Sequence, residues 1–280
     1  MMPTGRMTRA ASHRDAVKNI HFYEELFKVR KITIGGGLLL AFLIAGCSTH
    51  KKIIPHEKEK PALEWYNEGV QDYINHDYSE AEHALTMINA QHPGSIYAKR
   101  ATLILGDVYF AKGDYLLARD YYKRFIKLYP RSKDVIYAKY KIALSYYKAR
   151  NGYKLDATPV RKAIEAFLEL LREYPDNPYK DKINYYLEKC VEELYKHELF
   201  VAKFYADLDE FKAAKNRLDY MYRHFKNVNF NDNMLYLMGR VYLALGKRKE
   251  AQEFLKQLKE KYPNSKYTKE LEKIIDEYHK

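Results

Sequence analysis

Few residues in this 280-residue chain stand where they could make or break a bond. Cys47 is one. It closes the run Ile44-Ala45-Gly46-Cys47, small residues ahead of a thiol that can be lipidated and become the first residue of a mature chain. Cys190 has no intramolecular partner once Cys47 is used. It lies in the helical pattern Tyr185-Tyr-Leu-Glu-Lys-Cys-Val-Glu-Glu-Leu194, which predicts a buried, inert thiol. His76, His83 and His92 crowd one stretch, but they straddle a turn and a helix and no cysteine joins them, which fits surface histidines better than a metal site. Glu192-Glu193 and Asp207-Leu-Asp-Glu210 are carboxylates of the kind that solvated helix faces carry. There is no G-x-x-x-x-G-K-[ST], no H-E-x-x-H and no G-x-S-x-G. Gly35-Gly36-Gly37 lies in a leader and cannot cradle a phosphate after cleavage. The expectation is a protein that is not an enzyme, with no metal and no cofactor beyond a covalent lipid on Cys47.

The elements that place Cys47 form a signal. Lys28, Arg30 and Lys31 precede an apolar run from Ile32 to Ala45, 14 residues long. That is short of the roughly 20 residues that span a membrane and matches a signal-peptide core. The order of basic cluster, apolar run, small residues and cysteine looks like a bacterial lipobox, and Ser48 after the cysteine implies sorting to the outer membrane. Some 27 residues precede the basic cluster, and translation starting near Val29 would account for them. Cleavage of residues 1–46 removes seven Lys/Arg and three Asp/Glu, taking the net charge from +12 to +8. Residues 47–61 then read as the lipidated cysteine and a flexible tether to a membrane.

The rest of the chain must be a scaffold. Five of its 12 glycines lie in the first 46 residues, so the body is too poor in turn glycines for a sandwich or a doubly wound sheet. Two cysteines exclude a disulfide framework. Instead a spacing recurs: a small residue, an aromatic nine later, an alanine three further and a proline twelve beyond. It runs through Gly69, Tyr78, Ala81, Pro93, then Gly106, Tyr115, Ala118, Pro130, and last Gly239, Arg248, Ala251, Pro263, with Arg in the aromatic place. Ala143, Val160, Ala163 and Pro175 repeat it with eight extra residues, and Ala202, Phe211, Ala214 and Lys226 repeat it without the proline. This is the tetratricopeptide pattern. The small anchors let paired helices approach, and Leu85, Tyr122, Phe167, Leu218 and Leu255, four after each alanine, are expected to fill the space between pairs. His76-Asp-Tyr78 and Lys112-Gly-Asp-Tyr115 read as turns with Asp as N-cap. The expected fold is all-α: a right-handed superhelical solenoid of five helix pairs, with a capping helix over Tyr267–His279 and a long first helix in the fourth pair.

Solenoids bind on the face lined by the first helix of each pair. The repeat spacing points Tyr66, Tyr73, Arg100, Phe110, Tyr137, Tyr140 and Tyr147 to that face, with Lys148 beside it. This predicts a peptide groove in repeats 1–3, residues 62–177, with Arg100 or Lys148 holding a terminal carboxylate. The competing reading is that the same rings pack between helices. Residues 178–280, repeats 4 and 5 with the cap, offer the more basic Lys196, Lys203, Tyr236 and Arg240, read as a second docking surface. Nucleic acid is not an expected partner, since basic residues are spread among acidic ones and an exported lipoprotein rarely meets it.

Further details narrow the reading: His92-Pro-Gly-Ser-Ile-Tyr97, Gly113-Asp-Tyr115 with Tyr121-Tyr-Lys-Arg-Phe125, Phe200-Val-Ala-Lys-Phe-Tyr205 and Arg223-His-Phe225. From Ala62 to near the C-terminus the chain resembles the BamD (YfiO) family of outer-membrane assembly lipoproteins. The resemblance implies a non-enzymatic protein, lipid-anchored on the periplasmic face of the outer membrane. Its C-terminal repeats would dock on a BamA-like barrel subunit, and its N-terminal repeats would take C-terminal signals of unfolded barrel proteins. Other assembly lipoproteins are possible companions. Lys226 departs from the family, which has proline there. A pilotin lipoprotein for a pilus secretin, or a cell-envelope coordinator, is the alternative.

Overall fold

The computed structural model describes residues 59–225 and 230–277. The leader, Cys47, Lys226 and His279 lie outside them. The described residues carry eleven α-helices and no strand. They run α1 (Ala62–Ile74), α2 (Tyr78–Gln91), α3 (Ile96–Ala111), α4 (Tyr115–Leu128), α5 (Val135–Lys148), α6 (Thr158–Glu173), α7 (Lys180–Asp207), α8 (Phe211–His224), α9 (Asp232–Ala244), α10 (Arg248–Lys261) and α11 (Lys266–Glu277). These are five successive pairs and a final helix. The extra residues of the third pair lie between α5 and α6, and α7 is the long helix, 28 residues.

Steric fit builds each pair. The alanine anchors Ala81, Ala118, Ala163, Ala214 and Ala251 are completely buried, as are Leu85, Tyr122, Phe167 and Leu218. A Cβ on Gly69 would lie 2.7 Å from Leu85 Cγ, and one on Gly106 would lie 2.5 Å from Tyr122 Cε1. Real Cβ atoms essentially never sit that close, so any larger residue at these crossings would force Leu85 or Tyr122 to shift. The last pair departs from expectation. The side chain against Gly239 is Leu271 of α11, 2.4 Å from an added Cβ, whereas Leu255 is only half-buried. Helix α11 therefore fills here the contact that Leu85 and Tyr122 make with the glycines of the first two pairs.

Four of the five turns within pairs are built alike. His76, Gly113, Asp209 and Gly246 all take a left-handed conformation, φ +59° to +81°. The next amide reaches back five residues: Asp77 to Asp72, Asp114 to Tyr109, Glu210 to Tyr205 and Lys247 to Tyr242, each N···O 2.8–2.9 Å. This satisfies carbonyls that the helix end would leave open. Asp114 then caps α4, accepting from the Leu117 amide at 3.1 Å, but Asp77 makes no side-chain cap, contrary to expectation.

The described residues form two compact units, one ending at Ala138 and the other beginning at Lys139, inside α5. The sequence division at 177/178 follows presumed role, whereas this boundary follows contact density. In the N-terminal unit α1–α4 pack in order, each on the next. The fixed structure starts before Ala62. Lys60 pairs with Glu68 at 2.8 Å, lies over the Trp65 ring, and its carbonyl meets His92 Nε2 at 2.7 Å. In the C-terminal unit α6 to α11 pack likewise, with α9 touching α7, α8, α10 and α11.

One charge is buried in that unit. Glu198 of α7 is 1% exposed and accepts from Arg161 of α6 and from Arg217 of α8, the latter at 3.0 Å. Three consecutive helices are thus joined through one carboxylate.

Candidate functional site

In the N-terminal unit the expected groove residues separate by environment. Tyr66 is half-buried, its ring 5.2 Å from that of Tyr97. Tyr73 sits 6.1 Å from Tyr78, and Phe110 meets Tyr115 edge-on at 5.3 Å. Tyr137 donates its hydroxyl to Asp107 at 2.6 Å, and Tyr122 donates to the same oxygen at 2.7 Å. Burial raises the Tyr73 hydroxyl pKa, and the Asp107 charge raises it further. One carboxylate therefore organises the tyrosines of this face.

That arrangement sets a polarity. Arg100 is exposed on α3, seven residues or two turns before Asp107, which places them on one side of the helix about 10 Å apart. A cation stands at one end of this face and an anion at the other. A carboxylate would be drawn to Arg100 and repelled from Asp107. Lys148, the other expected cation, is exposed in the C-terminal unit.

Tyr140 and Tyr147 are corrections to the open-groove expectation. They are 7% and 8% exposed. Tyr140 stacks on Tyr179 at 4.5 Å and nears Phe167, and burial pushes its hydroxyl up to about 12. Tyr147 packs on Tyr186 at 4.9 Å and lies under the Arg150 guanidinium, 3.8 Å from its ring centre. The packing reading holds for both rings. Helix α7 starts just after Tyr179, and the chain there supplies these partners.

A pocket of about 540 Å³ opens beside Tyr147, lined by Arg150, Tyr153, Lys189, Glu192 and Lys196. Its charges are largely paired: Arg150 with Glu193 at 2.8 Å, and both lysines with Glu192. The expected docking residues are engaged as well. Lys196 belongs to this pocket. Lys203 pairs with Asp207 at 2.7 Å, and Arg240 reaches Asp207 at 3.4 Å and the Ala206 carbonyl at 3.1 Å. Tyr236 is buried, donates to Glu270 at 2.6 Å and stacks on Tyr267, and burial with that hydrogen bond raises it to about 12. Beside these charged side chains α7 also leaves apolar ones open: Phe200 and Phe204, 37% and 55% exposed, followed at the same spacing of four by Leu208, 59% exposed, just past the helix end.

Cys190 is buried, and desolvation pushes its thiol up to about 12, which makes it a poor nucleophile. The three histidines are dispersed: His76 bonds Tyr78, His83 packs edge-on to Trp65, and His92 holds Lys60. Among the described residues no cluster of His, Cys, Asp and Glu is arranged to hold a metal ion, and no helix is long and apolar enough to cross a membrane.

Sequence reasoning missed Glu198. Its signal was positional. It stands four before the anchor Ala202, as Trp65 and Thr102 stand four before Gly69 and Gly106, and all three are at most 2% exposed.

Comparison with known proteins adds a relationship. The model of the YfiO family, described as outer membrane lipoprotein, matches residues 58–258. The outer membrane protein assembly factor BamD of Rickettsia prowazekii is 25% identical over 241 residues, 86% of this chain and 95% of that protein. The proteins of the same name from Pasteurella multocida and Haemophilus influenzae are 28% and 27% identical, covering 73% and 78% of this chain and 81% and 86% of theirs. Among solved structures the chain is similar to the TPR2AB-domain:pHSP90 complex of yeast Sti1, at TM-score 0.42 and 16% identity, over 78% of this chain and 85% of that one.

Proposed function

The chain belongs to the YfiO family of outer membrane lipoproteins, and from that membership we propose that it is a non-enzymatic scaffold in the assembly of outer membrane proteins. The observation that carries this reading is the match to relatives named as assembly factors, over most of both chains. In this reading Cys47 carries the lipid and holds the protein to the periplasmic face of the outer membrane. Residues 178–280 dock on the BamA-like barrel subunit, and other assembly lipoproteins join the complex. The strip Phe200, Phe204 and Leu208 supports docking on this half, because apolar side chains in helical register form a ready contact surface.

The N-terminal unit takes the C-terminal signal of an unfolded barrel protein. Tyr66, Tyr73 and Phe110 supply half-buried rings, and Arg100 supplies the cation for the terminal carboxylate. Tyr137 belongs to the wall, since its hydroxyl is committed to Asp107. Tyr140 and Tyr147 drop out of the contact set because their rings are buried.

Purification of the native complex tests the role. A β-barrel assembly subunit should accompany the protein, and Phe204→Glu should release it. Recovery of a pilus secretin with no barrel-assembly subunit would overturn the reading in favour of a pilotin.

A further inference from the structure

We propose that the groove bounded by α8, α9 and α10 is a receptor for an arginine side chain, presented by an extended segment of a partner protein. This inference stands apart from the assembly role.

The groove encloses about 420 Å³, room for one long side chain and not for a helix. Its floor is Met238, 1% exposed, and Phe254, 7% exposed. Tyr222 and Tyr242 form the walls. Phe254 meets Tyr222 edge-to-face at 6.0 Å and Tyr242 at 5.4 Å, so three rings converge on one space. Ring faces attract cations, and here they already do so. Lys215 and Lys247 hold their ammonium groups 5.1 and 5.8 Å from the Tyr242 ring centre. Tyr222 is 37% exposed; Phe230 stacks on one side of its ring at 5.4 Å, and no cation lies over it among the described residues.

The rim supplies the charge. Glu250, Glu253, Phe254 and Gln257 recur at helical spacing and share one face of α10. Asp219, opposite, is spent on the Tyr242 hydroxyl and on Lys215. Arg223, the one cation in the lining among the described residues, turns its Nε to the Asp219 carbonyl at 3.2 Å. Glu250 lies 3.9 Å from Lys247, at the edge of an ion pair, and Glu253 has no partner among the described residues. An aromatic box with an available carboxylate is thus set into a chain of net charge +12. A guanidinium fits it better than an ammonium, because its plane can lie on a ring while its edge donates to the carboxylate.

The test uses two short peptides, acetyl-Gly-Arg-Gly-amide and the same peptide with citrulline, which keeps the shape and loses the charge. The Met238 methyl resonance of the full chain is followed by NMR. The arginine peptide should shift it saturably with a millimolar dissociation constant. The citrulline peptide, and the arginine peptide on Glu253→Gln, should bind at least tenfold more weakly, while Glu192→Gln should bind as the parent does. Glu253 is exposed, so its variant should melt with the parent. No shift at Met238, equal response to both peptides, or unchanged affinity in Glu253→Gln would each overturn the proposal.

Discussion

Replacing Glu198 with Ala should be among the most damaging single changes in the C-terminal unit. The carboxylate is 1% exposed and accepts from two guanidinium groups on the helices before and after its own. Hydrogen bonds to charged groups contribute about 1.5–3 kcal/mol each, so the two together set an upper bound of about 6 kcal/mol. Both arginines keep access to water, with side chains 21% and 32% exposed, and on losing the acid they re-solvate in part. The expected loss is therefore about 3 kcal/mol, the low end of what breaking a buried pair costs. For a chain of this size each kcal/mol lowers Tm by roughly 2–4 °C, so the variant should melt about 6–12 °C lower. Urea unfolding followed by helical circular dichroism measures the loss, and amide exchange locates it in α6, α7 and α8. Glu192→Ala, which removes an exposed acid with two lysine partners, should cost at most about 1 kcal/mol. A triple variant with Met at positions 161, 198 and 217 should recover most of the loss, because no charge is then stranded. A loss below about 1 kcal/mol for Glu198→Ala, or a triple variant no better than the single one, would refute the account.

Gly106→Ala should destabilise by about 1–3 kcal/mol, although alanine is the better helix former, because its methyl would overlap the Tyr122 ring, which is fully buried and hydrogen-bonded to Asp107. Gly94→Ala, where nothing lies within 4 Å of an added Cβ, is the control in the same urea titration. Tyr140, Tyr195 and Tyr236 are each raised from 10.0 to about 12 in the fold, burial being the main cause. Below pH 10 their hydroxyls are protonated in both states and the contribution is full; it is lost as pH rises through about 12. The urea midpoint should fall between pH 10 and 12 in step with tyrosinate absorbance, and a flat midpoint across that window would contradict these shifts.

The repeat was legible because its rule is steric. A small residue recurring through the pattern states where two helices meet closely, and at Gly106 even an added Cβ would lie 2.5 Å from the Tyr122 ring. The site was less legible because tyrosine serves two ends with one side chain. The repeat positions that leave Tyr66 and Tyr73 half-buried bury Tyr140 and Tyr147, and the difference lies in residues far along the chain: Tyr179 stacks on Tyr140, and Tyr186 packs on Tyr147. Spacing within a helix cannot report a partner that an insertion and a lengthened helix bring in later. Glu198 was hidden for a related reason. Its neighbours Lys196 and His197 make the segment read as solvated surface, and only alignment with Trp65 and Thr102 betrays an inward position. Leu271 shows a further limit: it comes from α11, outside the repeat spacing, and takes the place against Gly239 that Leu85 takes against Gly69.

The four matching turns bear on how the chain acquires this structure. Each closes a loop of six residues, and the crossing it creates, Gly69 on Leu85 or Gly106 on Tyr122, joins residues only sixteen apart. Such short closures lose little chain entropy, so a hairpin can form before its neighbours do. The Glu198 bridge is the longer-range tie, spanning 37 residues to Arg161 and 19 to Arg217. It can close only after three helices are in place. Folding of the C-terminal unit should then show early, fast hairpins and a later step that locks them, with Glu198 acting on the unfolding rate more than on the folding rate.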